Sequence, residues 1–144
     1  MRLFHFLSPL ALIVACTPQD VSEPSRSAQF NDYPTRLFET FEMSCTGPGD
    51  SFRKLPDSSF ECSEYLPPEA AAFLILTYDG SPQNLPKSVM RLNPSKTASG
   101  YRVDASLVFR VPQKAGSVVE VPVESEALDQ ALARLYRALG GSPG

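Results

Sequence analysis

Five groups of side chains in this chain of 144 residues have types and spacings that could do chemistry. Ser51 and Lys54 stand three positions apart, and an amine near a hydroxyl can act as the base that activates it as a nucleophile. Glu120, Glu124, Glu126 and Asp129 crowd one stretch, and glycoside hydrolysis needs two carboxylates across a cleft, about 5 to 10 Å apart. Glu126 and Asp129 also suit the positive end of a helix dipole. Lys87, Arg91, Arg102 and Arg110 concentrate positive charge, which attracts anionic partners. Three cysteines, Cys16, Cys45 and Cys62, and the single histidine, His5, complete the set.

The fate of His5 and Cys16 turns on the first sixteen residues. Met1 and Arg2 open the chain, Leu7 to Ala15 is apolar apart from Ser8, and Ile13, Val14 and Ala15 lead into Cys16. A charged start, an apolar centre and a small residue at the cut stand in the order that an export signal requires. The stretch resembles the lipobox of bacterial lipoproteins. The resemblance implies that residues 1–15 are a signal peptide, that Cys16 becomes the first residue and carries lipid, and that the protein is exported. Leu7 to Ala15 spans nine residues, whereas a membrane-crossing helix needs about 20, so the expected membrane link is an anchor. Thr17 after the cysteine, where aspartate would favour the inner membrane, points to the outer membrane facing the periplasm.

The same resemblance decides what chemistry survives. Removal of His5 takes with it a Ser-His-Asp triad, a Cys-His pair, a histidine metal site and histidine acid–base catalysis. Lipid on Cys16 leaves Cys45 and Cys62 to pair, as an exported compartment allows. Such a crosslink is worth about 3 kcal/mol by loop entropy, and CxxC spacing for a redox pair is absent. Ser51-Phe52-Arg53-Lys54 and Lys96-Thr97-Ala98 resemble the S-x-x-K and K-T-G motifs of penicillin-binding proteins and serine β-lactamases. Ala98 replaces the glycine, no S-D-N lies between them, and the mature 129 residues are too few for that fold. No catalytic residue, metal or cofactor is expected.

The elements that must position these residues follow from periodicity. Residues 16–31 read as the lipid anchor and a flexible tether spanning about 20 Å on average, with Phe30 the residue best placed to dock. Residues 32–140 form one domain, and 141–144 a tail. Leu37, Phe38, Phe41 and Cys45 mark a helix over Thr35 to Cys45, and the stretch between the cysteines reads as an irregular loop. Ala70 to Tyr78 is apolar on both alternating faces, which fits a central strand, although periodicity does not separate it from a buried helix begun by Pro68 and Glu69. Further strands are expected at Lys87 to Leu92, broken by Asn93-Pro94, at Tyr101 to Val111, and at Val118 to Val123. Ser125 to Gly140 closes the domain as an amphipathic helix, with Leu128, Ala131, Leu132, Leu135, Tyr136 and Leu139 on one stripe. The expected fold is α+β, a four-stranded antiparallel sheet with an N-terminal and a C-terminal helix packed on one face.

Charge order narrows the partner. Residues 17–79 hold four basic and eleven acidic side chains, whereas 80–116 hold six basic and only Asp104 acidic. The overall acidic balance argues against nucleic acid. The reading is a non-enzymatic interaction or accessory module, bound to the membrane through Cys16, with an envelope protein or an anionic cell-wall or lipid partner at the basic hairpin. The alternative is an inhibitor of a cell-wall hydrolase, because membrane-bound lysozyme inhibitors are also small lipoproteins with a disulfide. Ser99-Gly100-Tyr101 departs from their S-G-x-x-Y signature, and the closing helix departs from their all-β fold. A small envelope enzyme using Ser51 and Lys54 ranks third.

Overall fold

Residues 26–144 are described by a computed structural model; the signal segment, Cys16 and the tether up to residue 25 lie outside them. The order is β1 (Ser27–Phe30), α1 (Thr35–Ser44), β2 (Ser51–Lys54), β3 (Phe60–Tyr65), α2 (Pro68–Thr77), β4 (Lys87–Thr97), β5 (Gly100–Pro112), β6 (Val118–Pro122), α3 (Glu126–Ala138) and β7 (Ser142–Pro143). The strands make one antiparallel sheet in the order β2-β3-β4-β5-β1-β7, with β6 pairing the far half of β5. The fold is α+β, but with seven strands and three helices rather than four and two.

The long β4–β5 hairpin is the spine of the sheet, registered from Lys87↔Arg110 to Thr97↔Gly100. Alternation along β5 holds as expected: Val103 and Ala105 point into the core, and Val111 is fully buried further along the strand. Asn93-Pro94 does not break β4. Ala105 N–H donates to the Arg26 carbonyl, so residues two apart from it on β5, such as Val103, also aim their backbone groups at β1. Pro94, opposite Val103, therefore turns its missing donor away from β5, to an edge that β3 no longer covers beyond Leu92. At the hairpin tip Gly100 has φ +134, and a Cβ there would lie 2.1 Å from the Phe30 carbonyl oxygen, so only glycine lets β1 pass.

One face of the sheet carries α1 and α3. Leu37 and Phe38 of α1 and Leu132 and Tyr136 of α3 bury Ala28, Phe30, Phe60, Leu92, Val103 and Ala105. Phe38 stacks on Phe60 with ring centroids 4.2 Å apart, and Phe30 meets Tyr136 edge-on at 6.1 Å. Tyr136 is fully buried; its hydroxyl donates to the Arg26 carbonyl at 3.2 Å, and burial pushes its pKa up. Ser125 caps α3 by accepting from Leu128 N–H at 3.3 Å. Ser125→Ala should lower stability by about 1 kcal/mol in urea unfolding, and an unchanged midpoint would remove the cap from this account.

Four expectations are corrected. Ala70 to Tyr78 lies within and just after helix α2, not in a strand: Pro67 is extended (φ −52, ψ 146), Pro68 occupies the first turn, and β3 pairs β4 directly, leaving no place for a strand between them. Ala71 and Leu74 are buried while Phe73 and Leu76 are 66 % and 85 % exposed. The segment between the cysteines is the β2–β3 hairpin, turned at Ser58, whose φ of 67 is left-handed. Residues 27–30 of the tether form β1, and residues 142–143 of the tail form β7 alongside it. β4 runs to Thr97 rather than ending at Leu92.

Candidate functional site

The site is built on the sheet face turned away from α1 and α3. In β3, Phe60 and Cys62 point to the core, so alternation sends Glu61, Ser63 and Tyr65 to the other side. Register then places Arg53 of β2 and Arg91 of β4 on either flank of Glu61, and Lys87 directly opposite Arg110 of β5.

Glu61 is 1 % exposed and takes N–H donors from three arginines. Arg110 grips it with two bonds, Nη1 to Oε1 at 3.0 Å and Nη2 to Oε2 at 2.9 Å. Arg91 Nη2 donates to Oε2 at 2.7 Å, and Arg53 Nη2 donates to Oε1. To reach Glu61 from the Lys87 row, Arg110 must cross the Val89↔Val108 row, and Val89 on that row is 1 % exposed. Its Nε and Nη2 also donate to Glu120 Oε1 at 3.1 and 2.9 Å. The Arg110 bonds, with those from Arg91 and Arg53, hold the Glu61 carboxyl well below the usual carboxylate range against the opposing effect of burial. Reciprocally, the bonds to Glu61 raise the Arg110 pKa. Arg91 Nε is buried without a hydrogen-bond partner among the described residues.

Lys87 has a different holder. Its ammonium lies 4.4 Å from the centre of the Tyr65 ring and pairs with no carboxylate among the described residues. Two carboxylates, Glu61 and Glu120, thus face Arg53, Lys87, Arg91 and Arg110, leaving the cluster net positive.

No protein family model, curated protein or solved structure matches the chain. The geometry therefore has to carry the functional reading alone.

Of the four basic residues singled out from the sequence, the fold gathers Lys87, Arg91 and Arg110. Arg102 shares their face but sits towards the β1 end, paired with Asp104 at 2.9 Å and donating to Ser27 Oγ at 3.0 Å. Arg53 and Glu61 are not among the residues that the sequence singles out, because the stretch between the cysteines reads as an irregular loop. The signal was there in Phe52-Arg53 and Phe60-Glu61-Cys62, where apolar and charged residues alternate. Cys45 and Cys62 form the expected disulfide, with Cα atoms 5.9 Å apart. Asp50 lies close to both sulfurs, but in the disulfide neither sulfur is a thiolate that could ligate a metal. Cys16 lies outside the described residues.

The Ser51–Lys54 pair is not assembled, whereas Glu124 and Asp129 line one cavity, in which Arg26 pairs with Asp129. Ser51 and Lys54 are three apart in a strand and point to opposite faces: Ser51 lines the cavity beside Arg53, while Lys54 lies over the Phe60 ring at 5.6 Å. Glu120 is engaged by Arg110, Asp129 by Arg26, and Glu126 accepts from Gln130 at 3.1 Å.

Proposed function

We propose that this protein is an exported lipoprotein, anchored through lipid on Cys16 to the outer membrane facing the periplasm, where it acts as a non-enzymatic interaction module. Its working surface is the sheet face bearing Arg53, Lys87, Arg91 and Arg110, and its partner is an anionic component of the envelope. The observation that carries this reading is the Glu61 cluster. A buried carboxylate bonded by three arginines fixes cations that would otherwise wander, and the surrounding net positive charge is left for a partner to neutralise.

The test is crosslinking of the full-length lipidated protein in intact cells, followed by capture from the membrane fraction. Wild type should hold an anionic envelope component in near-stoichiometric amount. Lys87→Glu should cut that capture at least tenfold, equal to 1.4 kcal/mol, while melting stays as in wild type, since Lys87 pairs with no carboxylate among the described residues. Capture that ignores the charge reversal would refute the assignment of this face. Cys16→Ala should release the protein from membranes, and a variant that stayed bound would refute the anchor.

A further inference from the structure

Beside the Glu61 cluster lies a cavity of about 570 Å³, walled by β2, β3, the start of β4 and the segment through Gln83 and Asn84. Building on the proposed function, we infer that this cavity binds a single anionic sugar unit, a hydroxylated ring carrying a carboxylate or a phosphate.

Charge comes first. Arg53, Lys87 and Arg110 all line the cavity, and no carboxylate among the described residues does. Each is held in place from behind. Glu61 fixes Arg53 and Arg110, and Arg110 spends its donors on Glu61 and Glu120, so it contributes positive potential rather than a free bond. Arg53 uses only Nη2 in this way and is half exposed, which leaves Nε and Nη1 for a ligand. Lys87 rests on the Tyr65 ring, whose edge is backed by Gly49: a Cβ there would lie 3.0 Å from a ring carbon. Arg53 and Lys87 are therefore two oriented cations with unused donors at the rim of one cavity. Preorganised donors of this kind lose little freedom when an oxyanion arrives.

The uncharged lining argues for hydroxyl groups on the same ligand. Ser63 also lines the cavity, and its hydroxyl, which has no hydrogen-bond partner among the described residues, is open to a ligand hydroxyl. Gln83 accepts from Ser81 through Oε1 at 3.0 Å, so its amide nitrogen remains to donate, and the Asn84 side chain beside it has no hydrogen-bond partner among the described residues. The volume lies in the range of small-molecule sites and exceeds what a lone phosphate would fill. Cations at one rim with a hydroxyl and amides along the wall match an acidic sugar better than an acidic peptide, which presents few hydroxyls.

The experiment is calorimetric titration of the full chain in detergent with glucuronate, glucose 6-phosphate, glucose and a tetra-glutamate peptide. At least one charged sugar should bind, at least tenfold tighter than glucose, and the two arms tell carboxylate from phosphate. Lys87→Met and Arg53→Met should each weaken it about tenfold, and Ser63→Ala about threefold, with melting retained; Arg102→Met should leave it unchanged. Equal binding of glucose, preference for the peptide, indifference to Lys87→Met, or no sugar binding up to about 10 mM would each overturn the inference. If the sugars fail while cellular capture still collapses on charge reversal, the sugar site alone falls. If both fail, the working face falls with it.

Discussion

Glu61→Gln should lower the unfolding free energy by about 3 to 5 kcal/mol, although the two side chains are nearly the same size. The amide has one accepting oxygen where the carboxylate has two, and it brings no charge to oppose the guanidinium groups of Arg91 and Arg110, which are only about one quarter exposed. Loss of the counter-charge leaves these cations facing each other with little water to screen them. Urea unfolding measures the cost, and a loss under about 1 kcal/mol, the level of an exposed pair, would mean that water rather than Glu61 holds the arginines. The same carboxylate sets an acid limit. Its folded pKa is depressed, foremost by Arg110, so as pH falls the unfolded chain takes up the proton first. The stabilisation is complete above the ordinary glutamate value of about 4.3 and drains as pH drops towards the folded value. Wild type should therefore lose stability on acidification below about pH 4 more steeply than Glu61→Gln does.

Cutting the disulfide should cost about 3 kcal/mol. The crosslink joins residues 17 apart in sequence and ties the end of α1 to the centre of β3, where Cys62 sits opposite Phe52 and Met90. Cys45→Ala with Cys62→Ala, or reduction of wild type, should lower the urea midpoint and speed hydrogen exchange first in α1 and the β2–β3 hairpin. Because Arg53 and Glu61 ride on that hairpin, loss of the crosslink should also loosen the cation cluster. Identical midpoints with and without reductant would show that aromatic packing at Phe38, Phe52 and Phe60 suffices.

Elements with one strong period were legible in the sequence. The stripe on α3, its Ser125 cap and the alternation of β5 required only local rules, and the structure keeps them. The four-residue strands β1 and β2 were not, since so few residues cannot establish a period, and they exist because β5 and β3 offer open edges. For α2 the composition misled: Phe73, Ile75 and Thr77 favour a strand, but two prolines and three alanines at its start favour a helix, and its outer face stays exposed. The candidate site was half legible for the same reason. Lys87, Arg91 and Arg110 belong to strands with a sustained pattern, whereas Arg53 and Glu61 belong to a hairpin whose alternation is too short to establish a period.

The placement of β1 has a mechanical consequence. A protein held at its N-terminus and loaded at the Lys87 cavity is pulled through Arg26 into β1. That strand is paired antiparallel on both sides, with β5 and with β7, and the side chain of Arg26 is latched to Asp129 of α3. Both the N-terminus and the cavity at Lys87 and Arg110 lie beyond the Ser27↔Asp104 end of the β1–β5 ladder, so tension opens its bonds one after another from Ser27, and the Arg26–Asp129 latch stands first in line. The four residues that read as slack are the part of the fold that feels such a force first.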